Sequence, residues 1–194
     1  MSSHPKNVRV EILGEDARGQ AQQFIWRVLQ KLGFHSRLFH KTSVPAGKGM
    51  GIKFVEEEFP KLLADHRKLF IKSKSVRLIV CCDADKKTTA DRRQGLIQAV
   101  EQAGLHKVAS QEGVAILIAK YHIETWLEYL EGHEANEEDE YKHRKGKEGE
   151  VGQAVSRFAG YCTNPKSMPK DVLPSIQAAV EEINKEMLPD FSNV

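Results

Sequence analysis

Val76-Arg77-Leu78-Ile79-Val80-Cys81-Cys82-Asp83-Ala84-Asp85 is a short apolar run that ends in two carboxylates. From Val76 to Cys82 the residues are mostly β-branched or small, which suits a strand buried on both faces of a parallel sheet, and the run is too short for a typical helix. Asp83 and Asp85 are two apart, so continued extended geometry sends both side chains to the same side. Adjacent carboxylates repel unless a cation lies between them, and hard divalent ions take oxygen ligands. In open α/β sheets ligands bind beyond the carboxyl ends of the strands. Asp83-Ala84-Asp85 is therefore a candidate metal site. The competing reading is a strand end running into a turn through Lys86, Lys87 and Thr88, since Asp is common in turns. A second acidic strand end elsewhere in the chain would decide between them.

Upstream, residues 8–13 alternate apolar and polar and meet Gly14-Glu15-Asp16, which reads as a first strand with acids at its C-terminal end. Residues 17–32 carry Ala21, Phe24, Ile25, Val28, Leu29 and Leu32 at helical spacing, and Gly33 stands at a C-cap position. Residues 36–43 read as a short strand leading to a glycine-rich loop around Lys48. That loop lacks the phosphate-loop pattern, with Thr42 where its first glycine belongs and Gly49 where its hydroxyl residue belongs, which excludes a phosphate-loop triphosphatase. A helix interrupted near Pro60 is expected over residues 52–70.

Downstream, residues 88–103 read as a helix closed by Gly104, with Arg92 and Arg93 on a solvated face. Residues 114–119 form a second continuous apolar run, ending at Lys120-Tyr121-His122-Ile123-Glu124-Thr125-Trp126-Leu127. Trp126 is expected in the core, as aromatic residues dominate core burial. Residues 131–150 are almost wholly charged or small, a linker or solvated helix, and helices are expected over 151–158 and 172–187. Alternating strands and helices argue for a layered α/β domain with a mostly parallel sheet and helices on both faces. The expected division is a catalytic domain over 1–130, a charged segment over 131–150 and a helical C-terminal extension over 151–194.

With 194 residues the chain is long enough for one principal domain, and a net charge of +2 announces no strongly basic field. Three cysteines, two of them inside the apolar run, form neither a disulfide framework nor a zinc pair. Without an apolar signal core or membrane-length stretch, a soluble cytoplasmic protein is expected.

Glu15 after the first strand, Asp83-Ala84-Asp85 after a central one and His122-Ile123-Glu124-Thr125-Trp126-Leu127 after the next resemble the TOPRIM superfamily, and within it the small OLD-type (overcoming lysogenization defect) proteins. The resemblance covers roughly residues 8–130. It implies a TOPRIM (Rossmann-like) fold and Mg²⁺- or Mn²⁺-dependent phosphodiester chemistry with one or two ions. Glu15 would be the acid/base group or a ligand, Asp83 and Asp85 would bind metal, and Glu124 would complete a second metal position. Two ions about 4 Å apart hold the attacking water and the leaving oxygen of an in-line displacement, and four carboxylates suit that charge. The chain departs from the pattern at Gly19, where a further acid often stands, and at His122, where a serine does. A late lysine assists catalysis in some OLD nucleases, which brings forward Lys166 or Lys170, with Lys120 a further contender.

The resemblance implies a nuclease acting on DNA or RNA, in an anti-phage system with a partner ATPase of the OLD/ABC type; no membrane is involved, and self-association is compatible with it. The competing functions are a haloacid-dehalogenase-like phosphatase, with Asp83 as nucleophile and Asp85 as acid/base, and a regulatory subunit that binds metal without turnover. Against the phosphatase, its motif lies near the N-terminus in that family and has Thr or Val where this chain has Lys87.

Overall fold

A computed structural model describes residues 7–15, 19–45, 51–139, 141 and 148–189, with side chains described from 151 onward in the last segment. Asp16, the glycine-rich loop around Lys48 and residues 140 and 142–147 of the charged segment lie outside the described residues. The elements run β1 (Arg9–Gly14), α1 (Gln20–Lys31), β2 (Phe39–Ser43), α2 (Gly51–Lys72), β3 (Val76–Asp83), α3 (Thr89–Gln102), β4 (Val114–Ala119), α4 (Ile123–Glu131), α5 (Glu148–Thr163) and α6 (Pro174–Glu182), the last continuing into a π-helical turn, Ile183–Met187. The four strands form one parallel sheet in the order β2-β1-β3-β4.

The period of two in the strands divides the core into two halves. Val10, Ile12, Ile79, Cys81, Ala115 and Leu117 belong to the half covered by α1, α4, α5 and α6. Leu78, Val80, Cys82, Val114, Ile116 and Ile118 belong to the half covered by α2 and α3. Both apolar runs are thus buried on both faces, as their composition predicts for strands between two helical layers. The fold is a Rossmann-like α/β layer structure.

Helices α1 and α3 end as the glycines predict. Gly33 and Gly104 have φ of 92° and 75°, and the N–H groups of Phe34 and Leu105 return to the carbonyls of Leu29 and Val100. Such left-handed closures satisfy carbonyls that the last helical turn leaves open. Pro60 does not interrupt its helix: α2 runs unbroken through it, with Pro60 buried. A proline removes one donor from the ladder, and the apolar stripe Val55, Phe59, Leu63 and Phe70 that seats α2 on the sheet holds the helix together across that gap.

The two C-terminal helices are part of the main core. Phe158 of α5 meets Phe24 of α1 edge-on with ring centroids 5.5 Å apart and stacks on Trp126 at 5.8 Å. Trp126 is buried as expected, and its Nε1 donates to Ser175 Oγ at 2.7 Å, so the indole polar atom is satisfied inside the core. Beyond α6, buried Glu186 accepts from the backbone N–H groups of Gln111 and Gly113 at 2.9 and 3.1 Å. Buried Arg77 donates to the Pro189 carbonyl at 2.8 Å. No helix among the described residues is long and apolar enough to cross a membrane.

Candidate functional site

The strand order creates the site. From β1 the chain passes to β2 on one side, then crosses back through α2 to β3 on the other side of β1. The crevice between the carboxyl ends of β1 and β3 is therefore a topological switch point, where open α/β sheets bind their ligands. Glu15 follows β1 and Asp83 ends β3, and the two meet there: Glu15 Oε1 accepts from the Asp83 backbone N–H at 2.6 Å. Beyond β4, the first turn of α4 supplies Glu124. Glu15, Asp83, His122 and Glu124 all line one cleft of about 310 Å³, whose far wall is the start of α1 from Gly19 to Gln22.

Burial is the main electrostatic fact of this cleft. It pushes the Glu15 carboxyl up to about 8, with the Asp83 charge adding to the effect and the Asp83 N–H bond opposing it. Asp83 is pushed up to about 6, again chiefly by burial, while His122, its Nδ1 3.1 Å from Asp83 Oδ2, works the other way. Cys81 and Cys82 beneath them are buried thiols held well above their usual range by the same desolvation, which makes them inert packing groups rather than nucleophiles. Two helix N-termini, those of α1 and α4, also open on the cleft, and neither is capped by the side chain of its N-cap residue. Carboxylates beside helix N-termini present one place with affinity for both a cation and an anion.

Asp85 is the exception among the sequence candidates at the strand ends. Its φ is 52°, so the chain has left extended geometry and the period-two argument stops at Ala84. It forms an isolated bridge with Tyr121, its carboxylate pairs with Arg92 at 3.0 Å, and it does not line the cleft. Arg92, in turn, is not on a solvated face. It is buried, donating through Nε to the Asp83 carbonyl at 2.9 Å as well as to Asp85. It thus clamps the whole Asp83-Ala84-Asp85 turn, and its signal was present in the sequence: Arg92, Leu96 and Val100 share one helical stripe, and all three are buried.

The lysines lie elsewhere. Lys120 donates to the Lys87 carbonyl at 2.8 Å and covers the Tyr121 ring. Lys166 and Lys170 are exposed in the segment between α5 and α6. None of the three lines the cleft.

Gln22 is a further residue that the sequence pattern hid inside an amphipathic helix. Buried in α1, it donates from one amide nitrogen to the carbonyls of Ile12 and Thr42, both at 2.8 Å, and so ties β1 to β2 beside the cleft. It runs so close to Gly14 that an added Cβ there would lie 2.6 Å from its Cγ. Gly14→Ala should therefore displace Gln22 and cost about 2 kcal/mol, measured as the loss of unfolding free energy in urea. An unchanged midpoint would show that Gln22 is not held as described.

Among the described residues no three His, Cys, Asp or Glu side chains are gathered as a ready-made metal cage. The donor set nonetheless suits a hard cation, because Mg²⁺ keeps several waters and needs only one or two carboxylates. Glu15 and Asp83 are such a pair, with Glu124 on the same cleft. No family model, curated protein or solved structure matches the chain; the resemblance to OLD-type proteins rests on the residues quoted above.

Proposed function

We propose that this protein is a Mg²⁺- or Mn²⁺-dependent nuclease that hydrolyses phosphodiester bonds at the cleft between β1 and β3. The observation that carries the reading is the meeting of Glu15 and Asp83, two buried carboxylates from separate strands, at the switch point of the sheet. Glu15, Asp83 and Glu124 would hold the ion, which when bound supplies Lewis-acid activation of water and charge for the leaving oxygen. His122 orients Asp83, and the first turns of α1 and α4 face the phosphate. Burial raises the Glu15 carboxyl toward neutrality in the metal-free site, and beside a bound ion Glu15 would give up that proton and stand as a carboxylate ligand. A partner ATPase and a role in antiviral defence follow from the resemblance alone.

The phosphatase reading needs Asp85 as acid/base beside Asp83, whereas Asp85 is paired with Arg92 outside the cleft. The test is incubation of pure protein with plasmid, linear DNA and tRNA in Mg²⁺, Mn²⁺ or EDTA. Cleavage in either metal and none in EDTA is expected. Phosphate release from a small phosphomonoester without strand cleavage would replace the nuclease with a phosphatase. Tight Mn²⁺ binding without turnover on any of these would favour the regulatory subunit.

A further inference from the structure

The acids and bases of this nearly neutral chain are unevenly placed. Residues 17–55 contain seven Lys or Arg and not one Asp or Glu, where the mean frequency of the chain would put about five acids. Arg18 and Lys48 of this stretch lie outside the described residues; the others fall on α1, β2 and the start of α2, with Arg37 just before β2. A second acid-free stretch, residues 151–170, adds Arg157, Lys166 and Lys170. The fold packs the two stretches together, α5 lying against α1 through Phe158 and Phe24.

On the α1 side the cations are exposed and joined to the sheet edge. Arg27 and Lys31 are exposed one turn apart on the outer side of α1, opposite the stripe Phe24, Val28 and Leu29 that seats it. Arg37 precedes β2, and Lys41 lies on that edge strand with its Nζ 4.4 Å from the ring centre of half-buried Trp26. Partial burial there lowers the Lys41 pKa. Acids that border the surface include Glu11, which accepts from Thr42 Oγ1, Glu128 and Glu131 of α4 beyond α5, and Asp171, which acts on Tyr161 of α5 together with Arg157. Lys41 stands opposite Ile12 in the parallel register, three residues before Glu15, which is about 10 Å along the strand.

We infer that the outer side of α1 and the edge strand β2, with Arg27, Lys31, Arg37 and Lys41, form a phosphate-tracking surface that carries a polynucleotide into the cleft. Lysines on an edge strand also discourage strand pairing between copies, but that purpose explains neither Arg27 and Lys31 on the helix nor the absence of acids from two separate stretches. A phosphodiester chain matches a surface of one sign that runs from the far edge of the sheet, at Lys31 and Arg37, toward the cleft at the start of α1, with its regularly spaced charges needing no specific pocket. This inference rests on the nuclease reading for the destination of the strand, and a binding assay without catalysis separates the two.

Binding of a fluorescein-labelled 30-nucleotide DNA strand is measured by anisotropy in EDTA across a salt series. Arg27→Glu, Arg37→Glu and Lys41→Glu are combined in one variant; Lys61→Glu, Lys72→Glu and Lys107→Glu, all exposed elsewhere, give a control of equal net charge. The first triple variant should bind at least tenfold more weakly, and its slope of log affinity against log salt should fall by about 2, roughly 0.7 for each single-strand phosphate that is no longer neutralised. The control should stay within about threefold of the wild type. Equal weakening in both variants, no binding by the wild type, or preferential binding of phosphatidylserine vesicles that disappears in the first variant would each overturn the inference. Binding as expected from a protein that cuts nothing in Mg²⁺ or Mn²⁺ would sink the nuclease reading and leave this surface standing.

Discussion

Asp83→Ala should abolish metal-dependent cleavage, a loss of about 10³-fold or more in rate, in a protein that still unfolds cooperatively. Asp83 touches two other members of the site: its backbone N–H holds Glu15 and its side chain meets His122. The substitution keeps the first interaction and removes the second, so the fold at the strand end persists while one of the oxygens proposed to hold the ion disappears. Asp83→Asn is the companion variant, retaining an acceptor for the imidazole. Near pH 8 its thermal midpoint should equal or exceed that of the wild type, because a buried carboxylate whose pKa is raised to about 6 is a destabilising charge there. Activity and stability then move apart, which unfolding alone cannot produce. Wild-type cleavage rates from purified Asp83→Ala would remove Asp83 from the chemistry.

Glu15→Gln should change how stability depends on pH. In the folded protein the Glu15 carboxyl is raised to about 8 from an ordinary value of 4.5. Below pH 4 the carboxyl is protonated in both states, and it costs nothing. Between about 4.5 and 8 the unfolded chain releases this proton and the folded chain keeps it, so stability falls as pH rises. By pH 7 the loss from this residue is about 3 kcal/mol, and above pH 8 the slope disappears. The glutamine variant retains an oxygen for the Asp83 N–H and has no proton to lose. Its urea-unfolding free energy should therefore fall less steeply than that of the wild type, keeping only the Asp83 decline up to about pH 6 and flattening between 6 and 8 where the wild type still falls, which leaves it the more stable protein at pH 7. A divalent ion bound beside Glu15 would offset the buried charge, so Mg²⁺ should raise the thermal midpoint of the wild type at pH 8 and that of the variant much less. Parallel pH curves for the two proteins would show that Glu15 carries no such penalty.

The central strands are legible in the sequence because burial on both faces leaves a simple mark, a short unbroken apolar run, and because acids at strand ends are conspicuous after it. Glu15, Asp83 and Glu124 stand out this way, and the parallel sheet puts all three at one edge. Asp85 departs from its expected place because a two-residue period holds only while the backbone is extended, and the left-handed conformation at this position is invisible in Asp-Ala-Asp. Arg92 is misread by residue type, although its stripe with Leu96 and Val100 is in plain view. Gln22 leaves no mark of its own, since its role depends on two carbonyls from strands 10 and 20 residues away. Pro60 shows local propensity yielding to a long apolar seam. The lysines came forward on resemblance, and the fold places none of them on the cleft.

The clasp formed by Glu186 and Arg77 bears on the order in which the molecule can be made. All four strands have been synthesised by residue 119, yet the N–H groups of Gln111 and Gly113 wait for a carboxylate about 75 positions later. Arg77 waits longer still, 112 positions, for the Pro189 carbonyl. A nascent chain released at residue 119 would have its sheet but no Glu186 for the Gln111 and Gly113 N–H groups; Arg77 would keep only the carbonyls of Lys74 and Val76, and one face of that sheet would lack α4, α5 and α6. Such a fragment should remain loosely collapsed and prone to associate while the ribosome is still adding helices. The long-range bonds that the last turn of the described chain closes can therefore form only after nearly all the rest has emerged.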